Sequence, residues 1–439
     1  MEFPSNVEYD YANKYYLSGS LRYDSSSRFS GANRWAPFWS VGAKWRLTEE
    51  GFMESVRDSW LNDLTIRASY GTSGNQTVGS GWYASRGYYD FGYNYNGNPG
   101  SLLLQYRNEN LKWEQTAKFN AGIDLRLFDK LSFGFDYYHH ITKDMVFAVP
   151  ISAAVGIPTF YDGVASFENL GKLQNTGFEF SLSWDAIHTK DTQLNFTLNG
   201  SRNNNVVKKL STDKPIEYAY QIVEVGKEIN SFFMKEWAGV DPETGRGMWY
   251  KGKEGTETTF DYNEAGKRHV GSPMPKFQGG FKTTFKYKAF DASMQLNYAM
   301  GGKIYGNNLR YDMQGGWSIG DNLINYTLDN AWRKPGDIAK VPMLSAARGL
   351  TWNSASSRFI MPGDYLKIQS LMLGYTIKSD YFSNVGLNSI RIFASAENLF
   401  TFHKKDYLGY DPSSVGANGV MWWTFPQPTK YIGGITFSF

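Results

Sequence analysis

The chain has no cysteine among its 439 residues and no long run of apolar residues. The first absence excludes disulfide bonds and thiol chemistry. A helix that crosses a bilayer needs about 20 mostly apolar residues in succession, so the second absence excludes a transmembrane helix. The formal net charge is only +3, which gives no reason to expect a nucleic-acid partner.

The sequence also has little that could support catalysis or metal binding. It has five histidines, and His139 and His140 are neighbours in a predicted strand, so their rings point to opposite faces and cannot bind one metal. It contains no phosphate-binding loop, dinucleotide fingerprint or nucleophile elbow. Asp241 begins the segment DPETG, which lacks the spacing of a calcium loop and is typical of a β-turn with proline in second position. We therefore predict no catalytic residue, no metal and no cofactor.

Aromatic residues and glycine are abundant. The chain has 30 tyrosines, 30 phenylalanines, 14 tryptophans and 45 glycines. Barrels of outer membranes place aromatic rings at both membrane interfaces and alternate apolar with polar residues along each strand. Glycine suits tight turns and crowded strand positions. A membrane protein built from strands is therefore compatible with the composition.

Residues 112–127 show the clearest strand pattern. The odd positions are mostly apolar and the even positions are polar or glycine, which gives a strand with two distinct faces. A short turn at 128–130 follows, and the alternation then resumes from Leu131 to Tyr137. Strands of this length match the roughly 9–11 residues that cross a bilayer at a tilt.

Similar alternation predicts about twelve strands in the whole chain. The strand at 365–377 changes phase near Gln369, which indicates a possible bulge. The chain ends in YIGGITFSF (431–439), whose odd positions are mostly apolar and whose last residue is Phe439. This ending is typical of the closing strand of an outer-membrane barrel. The remaining predicted strands lie near 15–24, 38–47, 61–71, 131–137, 178–185, 194–199, 281–287, 290–300 and 390–402.

The connections between these strands alternate between short and long. Outer-membrane barrels have short periplasmic turns and long extracellular loops. We therefore predict one antiparallel transmembrane barrel domain over 1–439, with its C-terminus at the periplasmic rim. The long loops are predicted near 72–110, 148–175, 205–276, 305–363 and 403–428.

The first residues, MEFPSNVEYD, have neither the basic segment nor the apolar segment of a secretory signal peptide. A barrel needs such a signal to leave the cytoplasm. We therefore expect the natural start to lie upstream, and this chain to be the C-terminal portion of a longer protein.

Eight motifs follow one another along nearly the whole chain: SLRYDSSSRF (20–29), NDLTIRASYGTSGNQ (62–76), NENLKWEQTAKFNAGIDLRLF (108–128), NLGKLQNTGFEFSL (169–182), AGVDPETGRGMWY (238–250), DYLKIQSLMLGYTI (364–377), ENLFTF (397–402) and FPQPTKYIGGITFSF (425–439). In its motifs and in their order the chain resembles the C-terminal half of the SusC/RagA-like TonB-dependent transporters of Bacteroidetes. The sequence departs from that family at Thr429 and Lys430, where an arginine is usual.

The resemblance implies TonB-dependent uptake of oligosaccharides or peptides through the outer membrane, with a SusD-like surface lipoprotein as partner. It implies that this chain supplies about twelve strands of a barrel of about 22, with the plug domain and the upstream barrel half elsewhere. The other expected partners are membrane lipid, TonB and the barrel-assembly machinery. The alternatives are a stand-alone twelve-stranded hydrolase or a passive porin.

Two groups of residues are candidates for contacts. Polar side chains on the strands should line a wet interior, where water and a plug could satisfy them: Lys118, Asn120, Asp124, Arg126, Asn195, Asn199, Gln295 and Asn297. Aromatic residues in the long loops could contact a substrate or partner, although they could equally pack the loops or join the aromatic girdle: Trp249, Tyr250, Trp317, Trp422 and Trp423.

The terminal strand is predicted to act as an assembly signal through Tyr431, Ile435, Phe437 and Phe439.

Overall fold

A computed structural model of the chain describes residues 2–57, 59–78, 83, 85–150, 165–210, 214–316, 318, 320–345, 351–378, 386–423 and 425–439. Its secondary structure is dominated by strands. The first ten, in chain order, are β1 Glu2–Tyr11, β2 Tyr15–Ser25, β3 Trp35–Arg46, β4 Leu61–Asn75, β5 Tyr88–Tyr95, β6 Asn98–Gln105, β7 Glu114–Leu127, β8 Leu131–Pro150, β9 Ala165–His188 and β10 Thr192–Leu210.

The strands that follow are mostly short where they lie in connecting segments. They are β11 Ile216–Glu217, β12 Gln221–Val223, β13 Ser231–Lys235, β14 Trp237–Val240, β15 Gly247–Tyr250, β16 Thr258–Thr259, β17 Lys267–Gly271, β18 Phe277–Tyr287, β19 Phe290–Met300, β20 Lys303–Gly306, β21 Ile360–Pro362, β22 Tyr365–Lys378, β23 Ser389–His403, β24 Val420–Met421 and β25 Lys430–Ser438.

The helices are short: α1 Glu54–Arg57, α2 Leu309–Asp312 and α3 Asn325–Asn330. Within the part of the chain that the structure describes, no helix has the length and apolar character that a membrane crossing requires.

The chain divides into two compact units. In the first unit the ladder order is β1-β2-β3-β4-β7-β8-β9, and β5 pairs with β6. In the second unit the ladder order is β10-β18-β19-β22-β23-β25, and the residues of β9 and of β10 are divided between the two units. Ladder neighbours within each unit run antiparallel. The predicted all-β, antiparallel class is therefore confirmed.

The pairing register keeps the two faces of each ladder distinct. Between β4 and β7, Tyr70 lies opposite Phe119 on one face, and Ser69 lies opposite Asn120 on the other. Tyr70 and Phe119 are exposed, as are apolar side chains along most of the ladder strands. We call these the apolar face and the polar face. An apolar face of this extent that no protein covers is typical of contact with lipid.

The structure adds a strand that the sequence analysis missed. Among the described residues the main path of the ladders contains thirteen strands, against about twelve predicted, and the addition on this path is β1. The paired strands β5 and β6 were also missed, because they lie inside the predicted loop at 72–110. The odd positions of β1 include Phe3, Val7 and Tyr9, but Pro4 and Ser5 interrupt the pattern. Pro4 lies opposite Arg22 of β2, and proline supplies no N–H group to the ladder at this position.

Bulges lie at two places where the strands depart from regular alternation. The β8–β9 ladder changes register around Met145, and Asp144 has a φ of 55°, so the pairing continues where the periodic signal stops. The predicted loop at 148–175 is therefore partly strand, and residues 151–164 lie outside the described residues. The predicted phase change is confirmed, because the register of β22 shifts between Ile368 and Ser370 and leaves Gln369 as the extra residue.

The second unit has a hydrophobic core built by its connecting segments rather than by its ladder. Phe232, Tyr305 and Phe359 are almost completely buried in it. A neighbouring cluster contains Trp249 and Trp352. We call the two clusters together the loop core.

Candidate functional site

Three charged side chains meet on the polar face of the first unit. Arg67 on β4 donates through Nη1 and Nη2 to the two carboxylate oxygens of Asp136 on β8, at 2.6 and 2.7 Å. Its Nε donates to Asp124 on β7 at 2.9 Å. A guanidinium that binds one carboxylate through two parallel bonds is held in a fixed orientation. Two carboxylates around one cation leave a net negative charge at this point.

Arg67 reaches Asp136 across an intervening strand because that strand has glycine at the crossing. Gly122 on β7 is paired with Arg67 on one side and with Asp136 on the other. A Cβ at this position would lie 2.6 Å from Oδ1 of Asp136 and 2.8 Å from Cζ of Arg67. Any side chain here would push the two charged groups apart.

The second unit repeats this arrangement with different strands. Arg391 on β23 donates to Asp291 on β19, from Nη2 at 2.6 Å and from Nε at 3.2 Å. Gly374 on the intervening β22 is paired with Asp291, and a Cβ there would lie 2.6 Å from Nη2 of Arg391. We call Arg67–Asp136 and Arg391–Asp291 the glycine-crossed ion pairs. Each one ties three neighbouring strands together on the polar face.

A cavity of about 770 Å³ lies over the polar face of the first unit. Charged side chains of both signs line it, among them Arg46, Asp63, Asp124 and Arg126. In the described ranges, no group of three histidine, aspartate or glutamate side chains could hold a metal ion. The polar face therefore offers hydrogen bonds and charge to a polar solute.

Three aromatic residues form an exposed cluster on the connecting segments of the second unit. The rings of Tyr311 and Trp423 have centroids 5.1 Å apart, and Trp422 lies 6.4 Å from Trp423. All three side chains are exposed, Trp423 by 60%. We call Tyr311, Trp422 and Trp423 the exposed aromatic cluster.

Strand pairing brings this cluster together although its members are distant in sequence. β20 and β24 pair in parallel, with Tyr305 opposite Val420. Tyr311 follows β20 on α2, and Trp422 and Trp423 follow β24. The rings therefore project from a framework fixed by backbone hydrogen bonds.

A buried ion pair holds the segment between β23 and β25. Lys367 on β22 donates to Asp411 at 3.1 Å and to the hydroxyl of Ser413 at 2.9 Å. Lys367 and Asp411 are both almost completely buried. Removing one partner would leave an uncompensated charge, which makes the attachment of this segment sensitive to substitution.

The other predicted loop aromatics differ in their positions. Trp249 is fully buried against Trp237 and Tyr262, so in this structure it packs the loop core, which is one of the alternatives that the sequence left open. Tyr250, the next residue, is half-buried with the guanidinium of Arg268 5.0 Å from its ring centroid. Trp317 lies outside the described residues.

The terminal strand pairs with β23 along its length. Ile435 lies opposite Ile392, and Phe437 lies opposite Ile390, on the apolar face. Tyr431, Ile435 and Phe437 are exposed. The strand ends at Ser438, and the exposed Phe439 follows it.

The segment that begins at Asp241 is a turn, as the sequence indicated. The Asp241 carboxylate accepts hydrogen bonds from the hydroxyl and N–H of Thr244 and from the N–H of Glu243. The N–H of Gly245, which has a φ of 67°, donates to the carbonyl of Asp241. The Thr244 hydroxyl, followed by these N–H groups, lowers the pKa of Asp241.

The sequence analysis named Asp124 but missed its partner Arg67 and the whole Arg391–Asp291 pair. A signal was present, because each of these residues is charged and occupies a polar position of an alternating strand. Tyr311 gave no such signal, because it lies in a segment without strand periodicity.

Comparisons with known proteins give this architecture a family. The model of the TonB dependent receptor-like β-barrel matches residues 5–399. The chain is 30% identical to TonB-dependent receptor P3 of Formosa agariphila, over 99% of this chain and 45% of that protein. It is 26% identical to TonB-dependent receptor SusC of Bacteroides thetaiotaomicron, over 99% of this chain and 43% of that protein.

Solved structures agree with this assignment. The structure of the RagAB peptide transporter matches 100% of this chain and 47% of the matched chain, with 28% identity and a TM-score of 0.87. The chain thus spans about half the length of the relatives it matches. The resemblance read from the eight motifs is confirmed. This chain belongs to the TonB-dependent receptor-like β-barrel family, with SusC and RagAB among its relatives.

Proposed function

We propose that this chain is the C-terminal part of the barrel of an outer-membrane importer. The importer takes up oligosaccharides or peptides in a TonB-dependent manner, together with a SusD-like surface lipoprotein, and changes no covalent bond. The observation that carries this proposal is the likeness to SusC and to the RagAB peptide transporter over essentially the whole chain. The uncovered apolar face and the charged polar face support it, since an import barrel meets lipid outside and a polar solute inside.

The open edges of the ladders support the presence of an upstream barrel half. Among the described residues, β1 pairs with β2 alone and β25 pairs with β23 alone. Free strand edges expose unpaired N–H and C=O groups, which cannot remain unsatisfied in a bilayer. Strands of the upstream half would satisfy both edges, and a plug would occupy the interior. A stand-alone barrel or hydrolase is less favoured, because the number of ladder strands in the described part of the chain is odd and an odd number cannot close with antiparallel pairs alone.

In this proposal the long connecting segments face the outside of the cell and the C-terminus lies at the periplasmic rim. The exposed aromatic cluster and Tyr250 contact cargo or the lipoprotein, because aromatic rings stack on sugar faces and on peptide side chains at low entropic cost. Tyr431, Ile435, Phe437 and Phe439 form the signal that the barrel-assembly machinery reads.

The test uses the intact transporter, tagged and purified from outer membranes of its own cells. We expect a surface lipoprotein to co-purify, and uptake of labelled peptides or oligosaccharides to stop when TonB is deleted. Uptake that continues without TonB would support a passive porin instead. Heat-modifiable migration of this chain expressed alone with a signal peptide would show a self-closing barrel and contradict the need for an upstream half.

A further inference from the structure

Charged side chains of both signs border a cavity of about 490 Å³ on the polar face of the first unit. Glu8 and Asp10, on β1, line its acidic side, and Lys44, on β3, lines its basic side. All three side chains are exposed, so a solute in the cavity can reach them. Lys44 also borders the larger cavity over the same face.

Small residues form the floor of this cavity between the two charged sides. Glu8 is paired with Ser18 on β2, Ser18 with Gly42 on β3, and Gly42 with Ser69 on β4. Ser18, Gly42 and Ser69 all line the cavity. A Cβ at Gly42 would lie 2.8 Å from Oγ of Ser18, so glycine leaves room here that a larger residue would fill.

The charges on the two sides have no ionic partner of their own. In the described part of the chain, neither Lys44 nor the carboxylates of Glu8 and Asp10 form an ion pair. The Lys44 ammonium lies 4.0 Å from the ring centroid of Tyr16, a contact that stabilises the cation without neutralising it. Arg67, the residue opposite Lys44, already binds two carboxylates. Both sides of the cavity therefore keep an uncompensated charge.

A tyrosine stands where the glycine-crossed ion pairs have glycine. Asp10 is paired with Tyr16, and Tyr16 is paired with Lys44, so the two charges are two strands apart, as in those ion pairs. Glycine lets the charges of the other pairs meet, whereas here the tyrosine side chain occupies the intervening position. The Tyr16 hydroxyl donates to the carbonyl of Asn13 at 3.2 Å, which holds the ring in place. Tyr16 thus acts as a spacer between an acid and a base.

From these contacts we propose that the cavity binds the charged ends of a short peptide, its ammonium at Glu8 and Asp10 and its carboxylate at Lys44. This role rests on the proposed function, in which the polar face lines the path of the cargo. Adjacent strands are about 4.8 Å apart, so β1 and β3 are separated by about 9–10 Å, which about three residues of extended chain span. An uncharged oligosaccharide would leave the charges on both sides without a counter-charge, so the cavity favours a peptide.

The first experiment measures the binding of trialanine to the intact, purified transporter by isothermal titration calorimetry. We expect saturable binding, weakened when the N-terminus is acetylated or the C-terminus is amidated, because each change removes one charge. The peptide blocked at both ends should bind about 10-fold more weakly or worse. Absence of trialanine binding, or equal affinity for the free and the doubly blocked peptide, would overturn the proposal.

The second experiment assigns each end of the peptide to its side of the cavity. Lys44→Gln should weaken trialanine binding about 3- to 10-fold and leave binding of the amidated peptide nearly unchanged. The double variant Glu8→Gln/Asp10→Asn should weaken trialanine equally and leave binding of the acetylated peptide nearly unchanged. Lys282→Gln, at an exposed lysine on the polar face of the second unit, should match the wild type.

Unchanged trialanine affinity in both charge variants would refute the site. The proposed function would still stand if the same transporter imported its cargo in a TonB-dependent manner, so the two failures are distinguishable. A crystal structure of the intact transporter with a plug side chain paired to Lys44 or Asp10 would also overturn the proposal.

The third experiment replaces the spacer. Tyr16→Gly should let Lys44 pair with Asp10, as charges do across the other two glycines, and should abolish trialanine binding. Tyr16→Phe, which keeps the ring, should bind as the wild type does. Wild-type affinity in Tyr16→Gly would contradict the proposal, and if that variant does not fold, the two charge variants decide.

Discussion

The ladder and the loop core of the second unit use the same kinds of residue in opposite ways. On the ladder, Leu373 and Ile392 are 46% and 47% exposed, whereas in the loop core Phe232 and Phe359 are 0% and 1% exposed. Burying apolar surface from water stabilises the loop core. The apolar face of the ladder buries little against protein, so backbone pairing and ion pairs on the polar face hold the ladder strands together. In the proposed importer this difference corresponds to two surroundings, lipid beside the ladder and water around the connecting segments.

Trp249→Ala should have the largest effect and should confine it to the loop core. Removing this fully buried ring leaves a cavity, and such truncations cost about 3–5 kcal/mol. We expect faster hydrogen exchange in β14, β15 and β16, while the heat-modifiable migration of the intact transporter stays unchanged.

Trp39→Ala, on β3 of the first unit, is the control for an exposed aromatic ring on a ladder. Trp39 is exposed on the apolar face, and its ring contacts Tyr70 with centroids 5.7 Å apart. Its loss should leave hydrogen exchange of β14–β16 as in the wild type. The contrast between the two regions would be wrong if both variants lowered the stability of the barrel equally.

Gly374→Ala should produce the next largest effect, this time on the ladder. The new Cβ would displace Arg391 from Asp291, and loss of a partly exposed charged pair costs about 1–2 kcal/mol. Denaturant unfolding of the purified transporter measures this loss. Gly433→Ala is the control, since a Cβ at Gly433 meets nothing within 4 Å.

A double-mutant cycle sharpens this test. In an Asp291→Asn background the ion pair is already weakened, so Gly374→Ala should cost much less than in the wild type. Equal costs in both backgrounds would show that the glycine is needed for another reason, such as backbone conformation.

These two regions also differ in how far the sequence predicts them. Ladder strands follow a period of two, and β19 was predicted with its observed bounds because its alternation from Phe290 to Met300 is uninterrupted. The pattern fails where a bulge changes the phase, as at Met145, and where polar residues break it, as in β1. The alternation of apolar and polar residues therefore predicts strand pairing only where the register of the ladder is regular.

The candidate site was less predictable because it depends on contacts between distant segments. Arg67 and Asp136 are 69 positions apart, and only the order of the strands places Gly122 between them. Trp249 and Trp423 looked equivalent as loop aromatics, yet one is buried and the other exposed. Whether each ring is buried depends on how the connecting segments fold, and no periodic pattern in the sequence predicts that.

Trp423→Ala should have a smaller effect, and on function rather than on stability. Trp423 is exposed beside Tyr311, so its loss should leave the unfolding temperature nearly unchanged. If the exposed aromatic cluster contacts cargo or the lipoprotein, affinity should fall about 3- to 10-fold, which labelled-cargo binding and lipoprotein co-purification measure. Tyr311→Ala should act in the same direction. Unchanged binding in both variants would leave the cluster without a contact role.

The smallest expected effect is the pH dependence of the Asp241 turn. Hydrogen bonds from Thr244 lower the pKa of this carboxyl in the folded turn, so the ionised form stabilises the turn above the ordinary aspartate pKa of about 3.9. That stabilisation is lost as the pH falls through the lowered pKa. Hydrogen exchange of residues 241–246, corrected for the intrinsic rate, should therefore increase on acidification in the wild type and change less in Asp241→Asn. The control Asp329→Asn, at an exposed position on α3, should keep the pH dependence of the wild type. If hydrogen exchange in Asp241→Asn depended on pH as it does in the wild type, a group other than Asp241 would be opening the turn.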